Sequence, residues 1–189
     1  LKQHNCKTII VENSYVDKYY LIDYSNFYSR TFTEYERFCK RVHFFTHSLQ
    51  PYNTTEFSKS FISDKTYRDS FNKKHYLGYI IVKPIPKSNI GRSLLKIPSY
   101  ISNHKNNISV VKVKHNVNFF GITIPIDSLY YQQQDAVVGA CATASLWMSL
   151  DKLNNLFGVP LMAPSEITIK AMEFLSLSRF FPSGGLNQY

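Results

Sequence analysis

A chain of 189 residues, 44% hydrophobic and 19% charged, can build one good core, or one domain and part of another. No apolar run reaches the roughly 18 residues of a spanning helix, and the opening "LKQHNCKTII" lacks the apolar stretch of a signal peptide, so no membrane role is expected. Three cysteines, Cys6, Cys39 and Cys141, are an odd number without metal-type spacing, which argues against a disulfide scaffold and for a reduced, cytoplasmic setting.

In chain order, "KTIIVE" and "KYYLIDY" are rich in β-branched and aromatic residues and predict strands. "TFTEYERFCKRVHFFT" predicts a helix, with Thr33 and Glu36 as a capping box and Tyr35, Phe38, Cys39, Val42 and Phe45 on one apolar face. That places Cys39 in the core. "FSKSFISDKTYRDSFNKKH" is basic, patchily aromatic and expected to be helical. "HYLGYIIVKPIP" predicts a strand stopped by Pro84, with "GRSLLKIP" as its partner after the turn at Asn89–Gly91. "ISVVKVKHNVNFFGITIPI" predicts two further strands from its alternation.

The character changes after Gly139. From Ala140 to Leu150 apolar residues point all round a helical wheel, which predicts a buried central helix, ended by Gly158 and Pro160. Trp147 and Met148 are core residues in this reading. "APSEITIKAMEFL" predicts a second, amphipathic helix, and Asn187 is a good cap for a helix whose continuation would lie beyond Tyr189. Charge divides the chain in a similar way. Of the net +9, residues 126–189 carry −2, from three Lys/Arg against five acids, so the preceding residues carry +11. The expected organisation is α+β: a basic accessory domain with a small antiparallel sheet and helices over residues 1–121, then a largely helical domain portion over residues 122–189.

One stretch carries chemistry. In "QQQDAVVGACATASLWM", Cys141 opens the predicted helix, where unpaired backbone N–H groups and the helix dipole favour a thiolate. The same N–H groups can donate to an oxyanion formed on a carbonyl attacked by that sulfur. A glutamine amide from the preceding loop, Gln134 or Gln133, suits the second donor, and Gly139 would let a substrate backbone approach. In the competing reading Cys141 is a packing residue of a buried helix. Asp135 is either a loop-orienting group or a solvated acid.

The strand "IPIDSLYYQQ", then Gln134, then Cys141-Ala142-Thr143-Ala144-Ser145-Leu146-Trp147-Met148, resembles the papain-like cysteine peptidases, in particular the bacterial branch that includes the bacteriocin-leader-processing peptidases. The resemblance covers about residues 122–189 and implies the N-terminal part of a papain-like domain. It implies Cys141 as nucleophile, Gln134 or Gln133 as oxyanion donor, and a peptide or protein as substrate. The family order is Gln, Cys, His, then Asp or Asn. Here all six histidines precede the cysteine, so the resemblance supplies no base. The catalytic histidine is expected beyond Tyr189, and this chain by itself is expected to be inactive as a peptidase.

Other chemistry finds little support in the sequence. His43 and His47 stand four apart, but without the glutamate of a zinc-helix motif or a third ligand, so no metal is expected. There is no P-loop and no dinucleotide-binding glycine pattern, and no cofactor is expected. The basic N-terminal part interleaves lysines and arginines with aromatics, a pattern that can contact phosphates and stack bases. The alternative to the enzyme is therefore a non-catalytic basic module that holds nucleic acid or an acidic protein.

Overall fold

The structure, a computed structural model, describes residues 4–48, 59, 63–66, 74–98, 110–134 and 141–173. The fold is mixed α+β, with a four-stranded and a two-stranded antiparallel sheet. Strands β1 (Thr8–Tyr15), β2 (Cys39–Phe45), β3 (Tyr76–Val82) and β4 (Ile90–Leu95) form the first sheet in that order. Strands β5 (Val113–Phe119) and β6 (Ile122–Ser128) form the second. The helices are α1 (Lys18–Asn26), α2 (Cys141–Phe157) and α3 (Pro164–Met172), with a 3-10 turn at Tyr28–Arg30. The chain divides into two compact units, one of residues 1–11, 42–79 and 95–128, the other of residues 12–41, 80–94 and 129–189.

Two segments exchange the secondary structure expected of them. Lys18–Asn26 is a helix, not a strand. Asp17 caps it, its carboxylate accepting the Tyr20 N–H at 3.0 Å, and a local cap outweighs the β preference of tyrosine and isoleucine. Cys39–Phe45 is a strand, not a helix. Cys39, Arg41, His43 and Phe45 are all buried, the period of two that a strand requires. Arg41 tolerates burial because Glu12 accepts from its Nε at 2.6 Å and the Tyr15 ring lies 4.3 Å from the guanidinium carbon. The basic stretch expected to be helical between β2 and β3 lies almost wholly outside the described residues.

In the first unit, β5 and β6 pair from Val113↔Ser128 to Phe119↔Ile122. Their turn puts both Phe120 (φ 46°) and Gly121 (φ 78°) in the left-handed region, as a two-residue hairpin loop requires. Asn118 Oδ1 accepts the Gly121 N–H at 3.1 Å and fixes the turn. Residues 121 and 122, where a domain boundary is expected, both lie in this hairpin and in the same unit. Val113, Val117, Phe119, Ile122, Ile124 and Ile126 form the buried face of the hairpin, and Phe119 packs with Phe45, Tyr76 and His43. His43 has no exposed surface, and its Nδ1 shares a 2.9 Å hydrogen bond with the Tyr76 hydroxyl.

In the second unit the helices pack around Tyr19, Trp147, Ala163 and Ile167. Trp147 meets Tyr19 edge-on at 5.6 Å and Tyr130 at 5.8 Å. The start of α3 is capped from α1: Asp23 accepts the Ser165 N–H at 2.9 Å, and Asn26 donates to the Ser165 hydroxyl at 3.0 Å. Glu166 reaches back to the Ala163 N–H at 2.6 Å, and Pro164 occupies the first helical position. Helix α2 ends as expected at Gly158, whose φ of 69° suits glycine. It is not buried on every side, however. Thr143, Ala144, Trp147 and Asp151 face inward, while Leu146, Leu153, Leu156 and Phe157 are exposed, Phe157 by 74%. Turns of apolar residues around the whole wheel thus leave one flank of α2 uncovered.

Candidate thiol site

The approach to Cys141 begins on the edge of β4. Tyr131 bridges to Ser93 with backbone hydrogen bonds of 2.8 and 2.9 Å, extending the β4 edge by a short antiparallel contact. Gln133 continues it. Its N–H donates to Ile90 O at 3.0 Å, its side-chain Oε1 accepts from Ile90 N at 3.2 Å, and its Nε2 donates to Lys87 O at 3.3 Å. Both ends of the Gln133 amide are thereby committed to the β4 edge, and Gln132 beside it is buried. Gln134 is the next residue and is exposed.

Cys141 is the first residue of α2 and is exposed, so the packing reading of this thiol does not describe it. Its Sγ–H donates to Gln134 Oε1. Of the three glutamines, Gln134 is thus the one beside the sulfur, while Gln133 has a structural task. Residues 135–140, with Asp135 and Gly139, lie outside the described residues, as does Asn187. The Cys141 carbonyl accepts from the Ser145 hydroxyl at 2.9 Å, and Ser149 repeats the pattern one turn on, donating to Ser145 O.

The other thiols contrast with it. Cys39 is 2% exposed, and burial, reinforced by the nearby Asp17 charge, pushes its pKa up to about 12. Cys6 is half-buried and donates weakly to Thr8 O at 3.6 Å. Beneath α2 stands a charged cluster that sequence reading did not single out. Arg92 Nη2 pairs with the buried Asp17 carboxylate at 2.9 Å, and its guanidinium lies 5.3 Å from the rings of both Tyr19 and Tyr130. Burial raises the pKa of both phenols, Arg92 pulling the other way. Residues 75 positions apart in sequence meet here, which no local pattern signals.

The described histidines, His4, His43, His47, His75 and His115, all belong to the first unit, and Cys141 to the second. His43 and His47, expected one turn apart, are instead in and just after β2. His43 is buried against Tyr76, and the His47 ring lies 5.1 Å from that of His75. Among the described residues no three His, Cys, Asp or Glu side chains group as a metal site would need. No helix of the described residues is long and apolar enough to cross a membrane. No protein family, no curated protein and no solved structure matches this chain.

Proposed function

We propose that Cys141 is the nucleophile of a thiol acyl hydrolase, a papain-like cysteine peptidase or close relative, that acts on a peptide or isopeptide carbonyl. The observation that carries this reading is the pairing of an exposed, helix-opening thiol with the Gln134 amide. Sulfur attacks the carbonyl carbon while the thiol proton passes to an imidazole. The carbonyl π pair moves onto oxygen, where the Cys141 backbone N–H and the Gln134 Nε2–H group donate to it. Collapse expels the amine, which takes the proton from the imidazolium. Water then adds to the thioester and releases the acid and the thiol. In the order implied by the resemblance the histidine follows the cysteine, and none of the six histidines of this sequence does, so no residue named here is assigned as the imidazole.

The test is acylation by p-nitrophenyl acetate, mapped by mass spectrometry. Acetyl should accumulate on Cys141, at about one per chain and without turnover, because no histidine follows Cys141 in this sequence to supply the general-base help, worth roughly two to four orders of magnitude, that the family order implies. Added imidazole should raise turnover above the background rate of imidazole alone, and Cys141→Ala should remove both the acetyl mark and that excess. Acetyl distributed over Cys6, Cys39 and the lysines as readily as on Cys141 would overturn the proposal.

A further inference from the structure

The positive charge of the protein is concentrated in one unit. Residues 1–11, 42–79 and 95–128 hold eleven lysines and arginines against four acids, while the other unit holds eleven against nine. Within the first unit, several basic side chains lie near one another. The His47 and His75 rings are 5.1 Å apart, and Thr46 Oγ1 shares a 2.9 Å hydrogen bond with His75 Nδ1. Lys74 and Lys96 lie close enough to His75 to act on its charge. Lys96 in turn lines an open cleft of about 330 Å³ with Ile97, Lys112, Pro125, Ile126 and Asp127. From the cleft, the exposed face of β5 carries Lys114 and Asn116. Asp127, opposite Lys114 in register, offsets one of these charges.

At the far end of the same hairpin stands Phe120, eight residues beyond Lys112, about 26 Å along an extended strand. Phe120 is 61% exposed and has φ 46°. A bulky aromatic is a costly occupant of the left-handed region, where asparagine or glycine rests easily. One side of the ring meets Phe119 edge-on at 4.7 Å, and the rest stays exposed at the tip of a hairpin, an outlier that points to a use for the free face outside the fold. Lysines supply point charges for phosphates, and an exposed aromatic ring supplies a stacking platform for a base. An acidic protein partner would use the first and have no need of the second.

We propose that the β5–β6 hairpin and the Lys96–Lys112 cleft bind single-stranded nucleic acid. Lys96, Lys112 and Lys114 take backbone phosphates, and Phe120 stacks a base. The site is independent of the Cys141 chemistry and stands or falls apart from it.

The test is fluorescence anisotropy of the whole chain with a labelled oligonucleotide of about 12 residues, within the site sizes of known single-strand binders. Log Kd should vary linearly with log salt, at about 0.7 per phosphate contact on a single strand. The triple variant Lys96→Gln, Lys112→Gln, Lys114→Gln should lower that slope by about 2 and weaken binding at least tenfold. Phe120→Asn relieves the backbone, so it should fold well. It should weaken binding roughly tenfold and leave the salt slope unchanged. A charge-matched control, Lys18→Gln, Lys40→Gln, Lys170→Gln, removes exposed lysines of the other unit and should bind like the parent chain. Equal weakening by the control would overturn the site, as would a Phe120→Asn variant with parental affinity. Polyglutamate of equal charge competing as well as the oligonucleotide would assign the surface to an acidic protein. Displacement by millimolar inorganic phosphate would reduce it to a small-anion cleft.

Discussion

Replacing Asp17 with alanine removes two interactions from one buried carboxylate. Its Oδ1 accepts the Tyr20 N–H and starts α1, and its Oδ2 holds Arg92 through Nε at 3.0 Å and Nη2 at 2.9 Å. The lost cap costs about 1 kcal/mol. The larger loss is electrostatic, because a guanidinium whose side chain is 16% exposed stays between Tyr19 and Tyr130 without its carboxylate. Breaking one partner of such a pair costs about 3 to 5 kcal/mol, and the partial exposure places Arg92 at the lower end. The total is about 4 kcal/mol, a large share of the stability of a domain. The assay is urea denaturation followed by far-ultraviolet circular dichroism, on the parent, Asp17→Ala, Arg92→Met and the double variant. In the Arg92→Met background, Asp17→Ala should cost no more than about 1 kcal/mol, giving a coupling of about 3 kcal/mol. Additive effects, or a single-variant loss below about 1 kcal/mol, would refute the reasoning and leave the pair as a solvated contact. Asp17→Asn keeps the cap acceptor and should fall between the parent and alanine.

Gln133→Ala should destabilise the chain by roughly 1 to 2 kcal/mol in the same assay, because it strips Ile90 N and Lys87 O of their side-chain partners. Gln134→Ala should change stability by less than about 0.5 kcal/mol and instead slow the acetylation of Cys141; the reverse pattern would exchange the two roles. Limited iodoacetamide near neutral pH, with peptide mapping, should label the exposed Cys141 well before Cys39, whose thiol is buried and held up to about 12. Acidification should lower the melting temperature as pH falls below 6.5. The pKa of His75 is lowered in the fold by burial and by His47, Lys74 and Lys96, so the unfolded chain binds the proton first and stability is full only above that pH. His75→Gln should flatten this dependence, and a melting temperature that rises from pH 7.5 to 5.5 would contradict it.

Much of the fold is legible in the sequence, and the misread segments share a cause. β3 and β4 announce themselves through continuous apolar runs and the Pro84 break, although β4 begins at Ile90 and takes in Gly91 where a turn is expected, and α2 and α3 announce themselves through their apolar runs and end signals. The strand at Cys39–Phe45 was hidden because two of its inward residues are Arg41 and His43. A hydrophobic pattern counts both as solvent-facing, and only partners distant in sequence, Glu12 and Tyr76, make their burial affordable. The helix at Lys18–Asn26 was hidden by its tyrosines, which suit a strand locally and serve here as packing against Trp147 and the 3-10 turn. Near the thiol, the sequence itself shows Cys141 and three glutamines close by. That Gln134 rather than Gln133 meets the sulfur is not legible there, since it depends on where the β4 edge runs.

Trp147 is the one tryptophan among 189 residues, it is 2% exposed, and it sits six positions after Cys141 on the same helix, about 9 Å along the axis. The protein therefore carries a built-in optical gauge of the element that bears its thiol. Tyr19 and Tyr130 lie against the indole and pass excitation to it only while α2 is docked. A chromophore attached to Cys141 would receive that excitation in turn, so emission from a single label reports both that the cysteine has been modified and that its helix is in place.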